Sequence, residues 1–297
     1  MQTGYLGIDV GGTASRWALV DTGGATLSRG ATTGATGHIF NPAERDKLHA
    51  TFAKIAAALP ADVALARVEI GVTGYGASVH ADMMRLLHEI LPSANIHIRN
   101  DMELAYLAAF APGAGHMISA GTGSIGIHMH ADGTITRVGG RGILIDDGGS
   151  GTWIALNALD RLYRNIDESG TPGNGAILAE HLFAAIGGDD WDATRAYVYG
   201  SDRGKIGALA QHVAAAASAG DELAQHILQD AAHELARLAI DLIGRCGDKP
   251  VAFVGGITNL SPDMKPALIA ALPGHKIIFP QIDAALSAAQ RAQLAAN

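Results

Sequence analysis

Cysteine is almost absent from this 297-residue chain, and long apolar runs are missing. Cys246 is the single cysteine, which excludes an intrachain disulfide and a cysteine-rich metal site. No uncharged apolar run approaches the roughly 20 residues of a membrane-spanning helix. The chain opens directly on a predicted strand, with no basic segment followed by an apolar one. These absences predict a protein of the reducing cytoplasm, without a membrane partner.

Charged residues are also few, at 17% of the chain, and the formal net charge is −8. A negative balance gives no electrostatic reason to bind nucleic acid or an anionic membrane surface. The hydrophobic share of 48% is typical of globular proteins. The length suffices for one large domain or two ordinary ones with a substantial core.

Glycine, by contrast, is abundant, with 38 residues, and it forms two recurrent turns. In the first, Tyr5–Val20, an apolar strand leads to Gly11 and Gly12 and a second apolar strand follows. These glycines can adopt positive φ and present backbone N–H groups to phosphate oxygens. Thr13 adds a hydroxyl donor, and Asp9 lies where a carboxylate can hold a divalent metal through water. An ordinary glycine hairpin explains the same residues equally well.

A second stretch, Gly115–Met129, repeats the pattern of strand, glycine turn and strand. Its turn contains Gly121, Thr122 and Gly123, and each copy is followed by a further turn and strand. Two such meanders, roughly a hundred residues apart, suggest two related domains that face one another. Their two turns could then grip one nucleotide, a more specific prediction than either turn supports alone.

Strands and helices alternate in the first third of the chain, which favours an α/β domain with covered sheets. Asp101 follows the predicted strand Ile96–Arg99 and precedes the predicted helix Met102–Phe110. At a strand end an aspartate can accept a hydroxyl proton in a transfer reaction. It can equally cap the helix, and from the residues alone capping is the commoner use.

Three further features lie beyond the second glycine turn. The loop Gly139–Gly151 is glycine-rich, as loops that contact a ligand often are. His128 and His130 share one strand face, which permits joint metal binding, but the sequence shows no third ligand and an exposed hairpin is expected. Cys246 ends a helical pattern and is expected to be a small buried residue.

The ordered set of motifs resembles the sugar kinase, heat-shock-70 and actin superfamily of ATPases. Within it, the chain is similar to the N-acetylglucosamine kinase and bacterial glucosamine kinase group, related to the BadF/BadG/BcrA/BcrD ATPases. The matching runs are Gly7–Thr13, Asn100–Asp101, Ala120–Ser124, Gly139–Gly140, Asp147–Gly151, Val254–Gly256 and Pro280–Ala285. The resemblance implies two α/β domains of the ribonuclease H-like, actin-like ATPase type, facing a central cleft. Their predicted extents are residues 1–110 with 283–297, and residues 111–282.

The function that the resemblance implies is ATP-dependent phosphorylation of the C6 hydroxyl of N-acetylglucosamine or glucosamine. It further implies ATP and Mg²⁺ as cofactors, a cytoplasmic homodimer, Asp101 as the catalytic base and Asp9 as a metal ligand acting through water. The implied nucleotide-binding residues are Asp9, Gly11, Gly12, Thr13, Gly121, Thr122, Gly123, Gly255 and Gly256. The implied sugar-binding residues are His38, Asp101, Ser124, Gly139, Gly140, Arg141 and Asp147.

Some residues depart from the pattern of the group, and the sugar stays open. His38 replaces a usual asparagine, Arg141 a frequent tryptophan, and Gly148 a frequent glutamate or glutamine. N-acetylglucosamine, glucosamine, N-acetylmuramic acid and glucose are all possible acceptors. The alternatives are a BadF-type ATPase without kinase activity and a nucleotide- or sugar-binding regulator. A dehydratase activator needs cluster-binding cysteines, and a ROK-type hexokinase a zinc-binding cysteine cluster; the sequence has neither.

Overall fold

The computed structural model describes residues 1–91 and 95–296. The chain divides into two compact units, of which the first comprises Met1–Ala111 with Ile282–Asn297 and the second Pro112–Gln281. Each unit contains a five-stranded sheet. Among the described residues, no helix has both the length and the apolar character that crossing a bilayer requires.

The first unit is a mixed sheet with helices. Its three opening strands form an antiparallel meander, and the next two run parallel to the first, in the order β3-β2-β1-β4-β5. The carboxyl ends of β1, β4 and β5 therefore lie side by side. The elements are β1 (Gln2–Val10), β2 (Ala14–Val20), β3 (Thr26–Thr33), α1 (Pro42–Ala57), β4 (Val63–Val72), α2 (His80–Ile90), β5 (Ile96–Asn100) and α3 (Asp101–Ala109).

The second unit repeats this sheet, in the order β8-β7-β6-β9-β10. Its meander is again antiparallel and its last two strands again run parallel. The predicted duplication and the ribonuclease H-like α/β class are confirmed. The elements are β6 (His116–Ala120), β7 (Ser124–Met129), β8 (Ile135–Gly139), α4 (Gly151–Ser169), α5 (Ala176–Ile186), α6 (Trp191–Gly200), α7 (Arg203–Ala208), α8 (Ala210–Ser218), α9 (Glu222–Cys246), β9 (Val251–Val254), α10 (Met264–Ala270) and β10 (Ile277–Ile278).

The terminal helix α11 (Ala284–Leu294) packs on β1 of the first unit, and a glycine makes the close approach possible. A Cβ at Gly7 would overlap the carbonyl oxygen of Ala285 and the backbone nitrogen of Ala289, and would lie 2.9 Å from the Cβ of Ala288. Only glycine leaves this space free. The alanines of α11 are buried against the sheet at this contact.

Local sequence patterns predict the buried face and the cap of α9, but they do not predict the break between α7 and α8. The predicted helical stripe of α9 is buried, and Asp221 caps the helix by accepting the N–H of Ala224 at 2.9 Å. The single helix predicted over Ile206–Ala219 is wrong, because a turn at Leu209 separates α7 from α8. There the N–H of Leu209 bonds the carbonyl of Ile206, three residues back rather than four.

Candidate active site

In the first unit, three side chains gather at the carboxyl edge of the parallel strands. Asp9 lies near the end of β1, Thr73 follows β4, and Asp101 follows β5. The strand register places Asp9 opposite Gly71, and Val72 opposite Asn100. The Thr73 hydroxyl lies near the Asp101 carboxylate and favours its ionised form. Residues widely separated in the sequence thus form one polar edge, as expected of ligand sites in α/β sheets.

The helix α3 is capped by Asn100, not by Asp101. The Asn100 side chain accepts the N–H of Met102 at 3.1 Å and donates to the carbonyl of Tyr75 at 3.3 Å. Asp101 is the first residue of the helix, and its Oδ1 accepts the same N–H at 2.9 Å. The capping explanation for Asp101 is therefore corrected: a neighbouring side chain already performs that role.

Asp9 and Asp101 repel one another in a desolvated environment. Burial, followed by the negative charge of Asp101, raises the pKa of Asp9 to about 6; Arg16, opposite on β2, opposes the shift and Asp283 adds to it. Burial also raises the pKa of Asp101, and the hydrogen bond from Met102 and the nearby Thr73 hydroxyl oppose that shift. A bound cation would relieve the repulsion between these carboxylates. Their oxygens are the kind of ligand that Mg²⁺ prefers.

The first glycine turn leaves open space at the edge of β1. The N–H of Gly11 bonds the carbonyl of Ala14 at 3.1 Å, while Gly12 and Thr13 are exposed. A Cβ at Gly12 would meet no atom within 4 Å. Neither Gly11 nor Gly12 has positive φ, so the conformational freedom expected there is not used. Glycine is needed instead at Gly34, where a Cβ would lie 2.5 Å from the Gly11 carbonyl oxygen.

His38 is held beside the same edge. The N–H of Gly37 bonds the carbonyl of Thr73 at 2.8 Å, which ties the loop to the end of β4. The imidazole lies against Gly74, where an added Cβ would be 2.6 Å from its Nε2. Gly74 has φ of 73°, so a side chain is excluded on two grounds. The packing of this loop therefore brings His38 near Thr73, which lies beside Asp101.

The second unit places its glycine residues at the equivalent edge. The N–H of Gly121 bonds the carbonyl of Gly123 at 2.9 Å, which closes the turn after β6. β9 runs parallel to β6, and Gly255 follows it with φ of 98°. A Cβ at Gly255 would overlap the carbonyl of Ala120. Gly255 and Gly256 are exposed beside the turn, so the predicted phosphate and adenosine residues of this unit lie together.

The amino end of α4 supports this turn from behind. The N–H of Gly151 bonds the carbonyl of Gly121 at 2.8 Å, and the Thr152 hydroxyl donates to the carbonyl of Thr122 at 2.8 Å. Ser150 caps the helix by accepting the N–H of Trp153 at 3.2 Å. The positive end of a 19-residue helix therefore lies at the turn, where it favours an anion.

Asp147 is buried behind the second turn, with 3% of its surface exposed. Its Oδ2 has no hydrogen-bond partner among the described residues, and the nearest cation is Arg203, with Nη1 3.8 Å away. Burial raises the pKa of Asp147, and Arg203 opposes the shift. A Cβ at Gly123 would lie 3.0 Å from Oδ2 of Asp147. A buried acceptor without a donor suits a ligand hydroxyl.

Other predicted sugar residues have partners within the protein. The hydroxyl of Ser124 is buried and donates to the carbonyl of Gly148 at 2.7 Å. Arg141 is exposed, and both its N–H and its guanidinium contact Asp146, each at 2.6 Å. Asp146 is therefore an anchor for the glycine-rich loop rather than a solvated charge. Gly139 and Gly140 use positive φ there, with values of 64° and 73°.

Two polar residues of these edges, Thr73 and Arg203, were not predicted. Thr73 ends a predicted strand, and aligning the strand ends could have identified it. Arg203 begins α7, far from Asp147 in sequence, and no local pattern marks it. The position of Arg203 depends on the packing of α7 against α4. Thr152, on α4, also donates a hydrogen bond to the carbonyl of Arg203.

Two ribonuclease H-like units with glycine turns at equivalent sheet edges define the actin-like class of ATPases. A model of the BadF/BadG/BcrA/BcrD ATPase family matches residues 6–292. The chain belongs to this family, which confirms the resemblance found in its motifs.

The chain is also similar to two named kinases in sequence and to a solved structure in fold. An N-acetylmuramic acid/N-acetylglucosamine kinase of Clostridium acetobutylicum is 28% identical, covering 71% of this chain and 70% of that protein. An N-acetyl-D-glucosamine kinase of Dictyostelium discoideum is 26% identical over 96% of each chain. The fold is similar to that of a ROK family glucokinase from Streptomyces griseus, solved with glucose and AMPPNP, with a TM-score of 0.60 at 18% identity, covering 98% of this chain and 99% of that one.

The raised pKa of Asp9 predicts pH-dependent stability without metal or nucleotide. The pKa of Asp9 is about 6 in the folded protein against its ordinary value of 3.8, so the protein loses stability as pH rises through this window and the carboxyl ionises. Asp9→Asn should remove that penalty. In chelator, its thermal midpoint should exceed that of wild type clearly at about pH 7.5 and little at about pH 4.5.

Asp46, exposed on α1, provides the matched control for this prediction. Asp46→Asn should leave the thermal midpoint near wild type at both pH values. Equal gains at the two pH values for Asp9→Asn would contradict an ionisation penalty.

Proposed function

We propose that this protein is an ATP-dependent kinase that phosphorylates the C6 hydroxyl of N-acetylglucosamine or glucosamine. The single observation that carries the proposal is the state of Asp101. It is partly buried at a strand edge, where its negative charge raises the pKa of the neighbouring Asp9, while Asn100 supplies the helix cap. The names of the two curated relatives support an amino sugar as the acceptor.

In this proposal, the backbone N–H groups of both glycine turns bind the phosphates of ATP. The first unit contributes Gly11–Thr13 and the second Gly121–Gly123, the latter supported by the amino end of α4. Gly255 and Gly256, which are exposed and lack side chains, receive the adenosine.

Asp9 would hold Mg²⁺ through water, with Asp101 close enough to share its charge. The ion supplies neutralisation of phosphate charge as the phosphoryl group leaves ATP. At the acceptor, the Asp101 carboxylate orients the attacking hydroxyl and accepts its proton late in the transfer. Its raised pKa favours that proton transfer, and the N–H of Met102, bonded to Oδ1 at 2.9 Å, orients the carboxylate.

The sugar hydroxyls are assigned to the remaining polar groups of the two edges. Asp147 offers an acceptor without a donor, and His38 an exposed imidazole next to the end of β4. The backbone of Gly139 and Gly140 and the nearby Arg141 complete the assignment. Buried acceptors discriminate among sugars, because an analogue that lacks the matching hydroxyl leaves them unpaired.

Asp147→Ala should raise the KM for the sugar far more than the KM for ATP. The reason is that the change removes an acceptor for one sugar hydroxyl and leaves the glycine turns intact. The measurement is steady-state kinetics with each substrate varied in turn. The matched control is Asp160→Ala, an exposed aspartate of α4 that pairs with Arg164 and has no role in the proposed reaction. Equal changes in both KM values for Asp147→Ala would contradict the sugar assignment.

The proposed function is tested by coupled measurement of ADP release with four sugars: N-acetylglucosamine, glucosamine, N-acetylmuramic acid and glucose. Sugar-dependent turnover with an amino sugar, and a product phosphorylated at C6, is expected. ATP hydrolysis that no sugar stimulates would instead identify an ATPase without kinase activity. Binding of ATP or sugar with no turnover would identify a regulator.

A further inference from the structure

Three side chains of the second unit that the proposed reaction does not use converge on one point. His128 lies on β7, His130 directly follows that strand, and Cys246 is the last residue of α9. One ligand atom from each residue lies within 4.8 Å of those of the other two. The expectation of an exposed histidine hairpin is wrong, because His128 is 2% exposed. Cys246 is partly rather than fully buried, and supplies the third ligand that the sequence did not show.

We propose that His128, His130 and Cys246 bind a divalent transition metal of the zinc type. Two imidazoles and a thiolate are ligands that Zn²⁺ takes in tetrahedral sites. Tetrahedral bonds of about 2.0–2.3 Å place ligand atoms about 3.3–3.7 Å apart, so side-chain rotations that shift them by about 1 Å complete the site. The fourth position is taken by water.

The hydrogen bond of His128 selects the tautomer that such a site needs, and His130 is oriented by a hydroxyl. Nδ1 of His128 lies 2.7 Å from the carbonyl of Gly115, and a carbonyl only accepts, so Nδ1 carries the proton and Nε2 the lone pair. Nε2 of His130 lies 2.8 Å from the Thr136 hydroxyl. Outer hydrogen bonds of this kind orient histidines that bind metals.

A third histidine supplies an independent observation. His116 is fully buried, and its ring lies 4.9 Å from that of His128. Its Nε2 donates to the carbonyl of Gly247 at 2.8 Å, and its Nδ1 has no hydrogen-bond partner among the described residues. A buried acceptor without a donor is uncommon. A metal ion at the proposed site would supply a bound water as donor to Nδ1 of His116 and a positive charge beside the ring.

The site is built on rigid elements, and the metal would join them. The end of α9 is already attached to β6 through His116 and Gly247, and to β8 through Arg245, which donates to the carbonyl of Arg137 at 3.3 Å. A bound ion adds a direct link between α9 and β7. Binding releases the Cys246 proton to solvent, because the thiolate is the ligand.

Cobalt titration of the metal-free, reduced full chain tests the proposal. Because Cys246 is the only cysteine, a thiolate-to-cobalt charge-transfer band reports this residue alone. The band should saturate at one equivalent of Co²⁺ and be displaced by Zn²⁺, and Zn²⁺ should protect Cys246 from alkylation. Cys246→Ser should abolish the band.

His130→Gln should weaken Zn²⁺ binding by more than about 100-fold, since even residues that only orient a ligand are worth about 10–100-fold. The matched control is His226→Gln, an exposed histidine on α9 that should leave affinity unchanged. Circular dichroism checks that the variants are folded. No band in the wild-type protein overturns the proposal. A band that survives in Cys246→Ser, or an affinity unchanged in His130→Gln, overturns it too.

Discussion

Replacing Asp101 with asparagine is expected to lower kcat by at least about a hundredfold, with little change in ATP binding or thermal stability. Asparagine keeps the shape of the side chain and its acceptor oxygen towards Met102, but it cannot accept the proton of the sugar hydroxyl. The structure sharpens this expectation, because the helix α3 is capped by Asn100 and does not depend on Asp101 for that purpose. Single-turnover and steady-state kinetics with the preferred sugar measure the effect.

The matched control is Asn100→Asp, which keeps a capping acceptor and should retain most of the activity. Asn100→Ala should instead destabilise the protein by about 1 kcal/mol, the usual cost of a lost helix cap. An Asp101→Asn enzyme with more than about a third of the wild-type kcat would contradict the assignment of Asp101 as the base. Much of the case for a sugar kinase would fall with it.

Gly7→Ala is expected to destabilise the first unit by about 1–3 kcal/mol or more. The added Cβ would overlap backbone atoms of Ala285 and Ala289, which cannot rotate away as a flexible side chain could. The helix α11 must therefore shift from β1 and lose its buried alanine contacts. Denaturant unfolding followed by Trp17, which is buried on β2, measures this unit once Trp153 and Trp191 are replaced by phenylalanine.

Gly244→Ala provides the comparison with the same chemical change. Gly244 is exposed within α9, and a Cβ there would meet no atom within 4 Å. Alanine should stabilise that helix by about 0.5–1 kcal/mol, because it restricts the unfolded chain. A Gly7→Ala protein with unchanged unfolding of the first unit would show that α11 does not need the close approach to β1.

The amino-acid sequence by itself determined the parts of this protein that depend on local patterns. The two glycine turns and the strands that flank them predicted the duplicated sheet, which the structure confirms in both units. The apolar period of α9 and its cap at Asp221 were likewise readable, because they involve residues within a few positions of one another. The ordered motifs also identified the family, since they span nearly the whole chain.

Only the tertiary structure decided which side chains meet across separate elements. The packing of strands and helices decides that Asn100 caps α3, places Thr73 near Asp101, and brings Arg203 close to Asp147. The same holds for Cys246 beside the histidines of β7, which lie more than a hundred residues earlier in the sequence. Periodicity specifies which face of an element is buried, but not which residue of a distant element lies opposite it.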